Sequence, residues 1–241
     1  MNHFFRLLVG ATMVAMCALP AHAASFKQAK KHYAAADYSA AIAELQPLAK
    51  AGNADANNLL GEMYLQGVGV NSDITLAKTF FEAGARVGHL AALANLADIL
   101  NREYKVELVT LEPLAEAGNA KAQNRLGRMY EFGQGHSINP QAAYAWYKKA
   151  ADQGLMNGRM NLARAHNFGL GTEQDFVKAE AGYLANAKAG HVDSMFFLGT
   201  MHFAQVSQAG LDSDRQAYAW LKVAAQNGHA TAAAMATRLA I

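Results

Sequence analysis

The chain has 241 residues, and its 21 lysines and arginines nearly balance its 19 aspartates and glutamates, which leaves a formal net charge of +2. A balanced charge without a basic stripe argues against nucleic-acid binding and against an anionic-membrane surface. The single cysteine, Cys17, excludes a fold held by internal disulfides.

The first 23 residues predict a secretory signal peptide. Arg6 gives a basic start, residues 7–19 are an uncharged apolar run, and residues 21–23 read Ala-His-Ala. We therefore expect cleavage near Ala23 and a periplasmic or secreted protein. A lipoprotein anchor on Cys17 is the alternative, but the bulky Met16 before it disfavours such a site. The apolar run is shorter than the roughly 20 residues of a spanning helix, and no later run approaches that length, so we expect no membrane span.

Residues 24–241 repeat one pattern of small and large apolar residues. A leucine followed by a small residue recurs mostly at intervals of 36 residues, in the pairs Leu60-Gly61, Leu96-Ala97, Leu126-Gly127, Leu162-Ala163 and Leu198-Gly199. That period is typical of helix-pair solenoids. The predicted repeats are 25–53, 54–89, 90–119, 120–155, 156–191 and 192–229, followed by a capping helix over 230–241. The sequence therefore predicts one all-α solenoid of about six helix pairs.

The repeat at 120–155 shows the plan most clearly. Ala122, Leu126 and Tyr130 share one face of a first helix, which the glycine loop at 133–135 then ends. Asn139 caps a second helix whose first position is a proline. The repeat at 90–119 lacks the glycine loop, and we expect a shorter helix pair there.

This pattern of residues resembles Sel1-like repeats, which are relatives of the tetratricopeptide repeat. Residues 122–130 and 143–154 match the Sel1-like pattern almost completely, whereas residues 33–52 are more similar to a plain tetratricopeptide unit. The resemblance covers nearly all of residues 24–241. It implies a right-handed α–α superhelix that acts as an adaptor or scaffold, and bacterial members with signal peptides are often envelope proteins.

No motif predicts catalysis. The Gly-x-Gly loops lie between two helices, so they are turns and not phosphate-binding loops. His166 and His202 occupy a position that is tyrosine in other repeats, and no partner at ligand spacing completes a metal set. We expect them to be packed or groove-lining residues, and we expect His89, His191 and His229 to make hydrogen bonds at helix ends. The sequence thus predicts no catalytic residues, no cofactor and no metal, in a protein that is not an enzyme.

A binding groove is implied by the resemblance, because the first helices of tetratricopeptide-like pairs line the concave face. Its candidate partner-binding residues are Asn58, Glu62, Asp98, Asn124, Arg128, Phe132, Met160, Arg164, Phe168, Phe196 and Phe203. Asparagines suit an extended peptide backbone, arginines suit carboxylates, and phenylalanines supply buried contact area. The alternative is that these are the ordinary solvated and packing residues of amphipathic helices.

The leading hypothesis is a non-catalytic protein–protein interaction module of the bacterial cell envelope that binds a partner segment in its concave groove. A glycan- or peptidoglycan-associated envelope factor and a secreted host-interaction protein are the alternatives. The partner is another protein or peptide segment, or a glycan, and no nucleic acid is expected.

Overall fold

The computed structural model describes residues 25–207 and 212–239. The predicted signal peptide lies outside these described residues. Within them, all regular structure is helical: α1 Phe26–Ala34, α2 Tyr38–Lys50, α3 Ala54–Gln66, α4 Ile74–Arg86, α5 Leu90–Glu116, α6 Ala120–Phe132, α7 Pro140–Asp152, α8 Met156–Phe168, α9 Phe176–Lys188, α10 Val192–Phe203, α11 Ser213–Gln226 and α12 Ala230–Leu239.

The helices pack in consecutive pairs within two compact units, which divide between Ala97 and Asp98. In the first unit α1 pairs with α2 and α3 with α4, and α2 also packs on α3. In the second unit the pairs are α6–α7, α8–α9 and α10–α11, with α7 packed on α8, α9 on α10, and α12 on α11. The prediction of an all-α solenoid is confirmed.

Polar caps and glycines set the helix ends, and the sequence predicted two of these ends, at Asn139 and Gly133. The side chain of Asn119 accepts a hydrogen bond from the backbone N–H of Ala122 at 3.0 Å, and Asn139 accepts one from Ala142 at 3.0 Å. Each cap gives an acceptor to an N–H that the helix itself leaves unpaired. Gly133 ends α6 with a φ of 67°, in the left-handed region.

The segment 90–119 differs from its prediction, because one 27-residue helix, α5, replaces the expected short helix pair. Residues 90–112 contain neither glycine nor proline, so nothing in them ends a helix. The loss of the glycine loop has therefore joined the two expected helices. In the second unit, Leu108 and Ala115 of α5 pack with Leu126 of α6.

A glycine in the first helix allows a large side chain of the second helix to pack against its backbone. A Cβ atom built on Gly127 would lie 2.7 Å from ring carbons of Tyr147. The same relation holds between Gly199 and Leu221, at 2.8 Å from the leucine Cγ. These contacts bring the two helices of a pair close together, as the small residues of the repeat predict.

The turn that closes each repeat has the same backbone geometry. Gly154 after α7 and Gly190 after α9 have φ values of 83° and 88°, which an L-residue with a side chain rarely adopts. A Cβ atom at either position would meet no atom within 4 Å, so it is the backbone angle, and not crowding, that requires glycine.

None of the helices in the described ranges combines the length and the apolar composition that crossing a bilayer requires.

Candidate functional site

A pocket of about 380 Å³ lies along the first helices of three successive repeats in the second unit. Helix α6 contributes Asn124, Arg128 and Phe132, helix α8 contributes Asn157, Met160, Asn161 and Arg164, and the start of α10 contributes His191, Asp193 and Phe197. We call it the α6–α8–α10 pocket. It brings together five of the residues that the sequence assigned to a groove: Asn124, Arg128, Phe132, Met160 and Arg164.

The floor of the pocket includes a pair of asparagines from neighbouring repeats. Asn161 is 6% exposed, and its Nδ2 donates to Oδ1 of Asn124 at 2.8 Å. Because the carbonyl oxygen of Asn124 is engaged, its amide N–H₂ remains for a ligand, and it has no other partner in the described part of the chain. Exposed Asn157, one turn before Asn161, adds a second amide.

Arg164 is held by a carboxylate beneath the pocket. Its Nη2 lies 2.5 Å from Oε2 of Glu131, which also accepts the hydroxyl hydrogen bond of Tyr147 at 2.5 Å. The side chains of Glu131 and Arg164 are 12% and 21% exposed. Burial, and then the hydrogen bond to Glu131, raises the pKa of Tyr147 well above its ordinary value, so this hydroxyl stays protonated as a donor. The positive charge of Arg164 is therefore compensated within the protein.

Arg128 differs from Arg164 although both arginines line the same pocket. It is exposed, and no carboxylate of the described residues lies within ion-pair distance of its guanidinium. The other charged group of the lining, Asp193, belongs to the first turn of α10 and lies 3.9 Å from Nε2 of His229. The α6 side of the pocket thus carries a positive charge that no carboxylate of the described residues pairs with.

The predicted groove residues of the first unit form a separate polar cluster. Asn58 donates to Glu62 at 2.8 Å, and Asn95 donates to Asn58 at 3.1 Å and to Glu62 at 3.3 Å. Asn95 and Asn58 stand in the same relation as Asn161 and Asn124. Asp98 belongs to the second unit, where its carboxylate pairs with Arg102 at 2.5 Å.

The remaining predicted aromatic residues lie outside the α6–α8–α10 pocket. Phe168 and Phe203 end their helices with about half of their surface exposed, at 56% and 50%. Phe196 stacks on the ring of His229, with centroids 4.2 Å apart. The pocket instead receives Phe197, which stacks on buried Tyr183 at 5.3 Å.

Sequence reasoning missed several lining residues because it considered only a few positions of each first helix. Asn157, Asn161, His191, Asp193 and Phe197 were not among its candidates. One signal was available, since Asn95 and Asn161 both stand directly before the repeated leucine and both come 37 residues after a predicted groove asparagine.

The histidines serve the fold in the two ways that the sequence predicts. Nδ1 of His89, His191 and His229 accepts from a backbone N–H in the first turn of the helix that follows, at 3.1, 3.2 and 3.1 Å. His166 and His202 are buried, and this burial lowers the pKa of each imidazole. In the described ranges, no three histidine, cysteine or acidic side chains are grouped so that they could hold a metal ion.

A family model described as Sel1 repeat matches residues 54–89, 120–155, 158–181 and 192–229, which together exceed half of the chain. The matched segments include α3–α4, α6–α7, α10–α11 and most of α8–α9. The helices that line the α6–α8–α10 pocket therefore belong to matched repeats.

Similar proteins contain the same repeat in longer chains. The chain is 29% identical over 139 residues to Protein sel-1 homolog 2 of Rattus norvegicus. That alignment covers 53% of this chain and 20% of the rat protein. It is 27% identical over 141 residues to the ERAD-associated E3 ubiquitin-protein ligase component HRD3A of Arabidopsis thaliana. That alignment covers 58% of this chain and 17% of HRD3A. The chain thus matches about one-fifth of the length of each relative.

A solved structure is similar over nearly the whole length. The crystal structure of a Sel1 repeat protein from Oxalobacter formigenes shares 25% sequence identity with this chain, covers 89% of it and 90% of its own length, and gives a TM-score of 0.52. This similarity supports the helix-pair fold described above.

Proposed function

Since the chain belongs to the Sel1 repeat family, whose repeats are generally protein–protein interaction modules, we propose that it is a non-catalytic adaptor or scaffold that holds a partner segment in the α6–α8–α10 pocket. The observation that carries this proposal is the convergence of amide, cationic and apolar side chains in one open pocket. The relative HRD3A is a component of an E3 ubiquitin-protein ligase, which is consistent with a family that works by association.

The lining fits an extended peptide. Asn124 and Asn157 offer amide groups that pair with backbone N–H and C=O groups, which an extended segment leaves unpaired. Phe132 and Met160 add apolar surface for a side chain of the partner, and Phe132 is 53% exposed. Aromatic residues, phenylalanine among them, are enriched in protein–protein interfaces.

The proposed place of action is the bacterial envelope. The basic start, the apolar run of residues 7–19 and the small residues at 21–23 support export. The test is the N-terminal sequence of the protein purified from the periplasm and from the medium. A mature chain that begins at Ala24 in either fraction supports export, whereas an uncleaved chain confined to the cytoplasm refutes it.

Site-specific photocrosslinking in cells tests the binding proposal. A photoreactive residue replaces Asn157, which is exposed and lines the pocket, so the substitution leaves the core intact. The matched control carries the same residue at Ala185, an exposed position of α9 outside the pocket. We expect a defined protein to be crosslinked from position 157 and not from position 185. Equal crosslinking from both positions, or none from 157, contradicts the proposal.

The glycan alternative has less support in this pocket. It depended on Phe132, Phe168 and Phe203 as sugar platforms, and only Phe132 lines the pocket. Recovery of glycan fragments, and of no protein, from position 157 would favour it over the adaptor function.

A further inference from the structure

The charges around the α6–α8–α10 pocket specify the chemistry of its occupant. We infer that the partner segment carries an aspartate or glutamate side chain that pairs with Arg128. This inference rests on the proposed function, because it concerns what the same pocket selects. It depends on three features: the free charge of Arg128, the compensated charge of Arg164, and the position of Asp193.

Arg128 is available for an ion pair, whereas Arg164 is not. Glu131 holds Arg164 at 2.5 Å and is itself held by the hydroxyl of Tyr147 at 2.5 Å. A ligand carboxylate that approached Arg164 would have to displace Glu131, which is 12% exposed, and leave its charge buried. No such exchange is required at Arg128, which is exposed and has no carboxylate partner in the described part of the chain.

The neighbours of Arg128 complete a site for a carboxylate on an extended chain. Asn124 lies one helical turn before Arg128 and Phe132 one turn after it, so the three side chains share a face of α6. The guanidinium offers paired N–H donors that match the two oxygens of a carboxylate. The amide of Asn124 lies on one side of that site, and the apolar ring of Phe132 lies on the other.

Asp193 limits the acidic residue to the α6 side of the pocket. It lies in the first turn of α10, beyond α8, and its side chain is 57% exposed. A second acidic residue of the partner near α10 would meet this like charge. The charge pattern therefore orients the segment, with its acidic side chain towards α6.

Selection from a library of random peptides tests the inference. The peptides are fused at their C-termini to the display protein, so that only side chains supply carboxylates. The targets are the wild-type protein, the charge-reversed variant Arg128→Glu, and the matched control Arg215→Glu, in which an exposed arginine outside the pocket is reversed. A fourth target, Asn157→Trp, fills the pocket from an exposed position.

We expect the wild type and Arg215→Glu to enrich peptides with an acidic residue at one fixed position. Replacing that residue with its amide, or replacing Arg128 with glutamate, is expected to weaken binding at least about tenfold, since charge-assisted hydrogen bonds are lost. The two changes combined are expected to weaken binding by less than the product of their separate effects.

Two results overturn the inference and are distinguishable. Peptides that lose binding with Asn157→Trp but show no acidic preference, and bind Arg128→Glu unchanged, refute the charge pairing and leave the proposed function standing. Failure of the wild type to enrich any peptide that Asn157→Trp excludes refutes both.

Discussion

Replacing Gly127 with alanine is predicted to destabilise the protein, although alanine is the better helix former by about 1 kcal/mol. Gly127 lies in the middle of α6, where the ring of Tyr147 packs on its backbone. The new Cβ atom would lie 2.7 Å from Cδ1 and Cε1 of that ring and 3.2 Å from the carbonyl oxygen of Ala143. Ordinary carbon–carbon contacts are at about 3.5–4.0 Å, so the ring must retreat by about 0.8 Å.

Tyr147 has little freedom to retreat. It is 2% exposed, and its hydroxyl donates to Glu131 at 2.5 Å. Overpacking costs about 1–3 kcal/mol, and lengthening a charge-assisted hydrogen bond adds about 1–2 kcal/mol. After the gain of about 1 kcal/mol in helix propensity, the free energy of unfolding is expected to decrease by about 1–4 kcal/mol.

Urea denaturation followed by far-UV circular dichroism measures this change, provided that the denaturant slope stays the same in all variants. The control Ala145→Gly, at an exposed position of α7, measures helix propensity in the same repeat without a clash. In a Tyr147→Phe background the cost of Gly127→Ala should shrink, since no hydrogen bond then restrains the ring. A Gly127→Ala protein at least as stable as the wild type would refute this account of the packing.

Three further predictions concern stability. Asn119→Ala should lower the free energy of unfolding by about 1 kcal/mol, because the N–H of Ala122 loses its acceptor. Asn119→Asp keeps an acceptor and should not lower it, and thermal melts compare the two variants. Hydrogen bonds from Arg125 lower the pKa of Glu107, so this pair stabilises the fold above the unfolded-state pKa of Glu107 and the stabilisation is lost as the pH falls through its folded-state pKa. Glu107→Gln should remove this part of the acid dependence, which is less than about 1 kcal/mol for so exposed a pair. A pH–stability curve that Glu107→Gln leaves unchanged would exclude this contribution. Burial lowers the pKa of His202, so as the pH falls below about 6.5 this histidine takes up a proton in the unfolded state before it does so in the folded state, and the free energy of unfolding decreases. His202→Gln should flatten the plot of unfolding free energy against pH in that range. An unaltered slope of that plot would rule out His202 as the cause.

Local signals account for the parts of the fold that the sequence predicted. The cap at Asn139, the helix end at Gly133 and the close packing at Gly127 each follow from the conformational preferences of a few neighbouring residues. The groove candidates on α6 and α8 share a face because the helical period fixes which side chains lie together. The choice of Asn124, Arg128 and Arg164 as groove residues came from the resemblance to tetratricopeptide-like repeats, whose first helices line the concave face.

Other features depend on relations that a reading of single repeats does not contain. The sequence predicted a short helix pair over 90–119, but residues 90–112 contain no glycine or proline that would interrupt α5. The compensation of Arg164 by Glu131 requires two repeats to be in contact, and Glu131 was not among the groove positions considered. The different electrostatic states of Arg128 and Arg164, on which the binding inference depends, could be recognised only from the packed structure.

The shared geometry of Gly154 and Gly190 makes the number of repeats adjustable. Both glycines have similar φ values, and the residue after each, Leu155 or His191, donates to a carbonyl five residues earlier, so residues 155–190 form a cassette that begins and ends at equivalent points. Recombination between such points would remove or duplicate a whole cassette and leave each remaining turn unstrained. A change of length in whole repeats would therefore leave the geometry of the remaining turns unchanged.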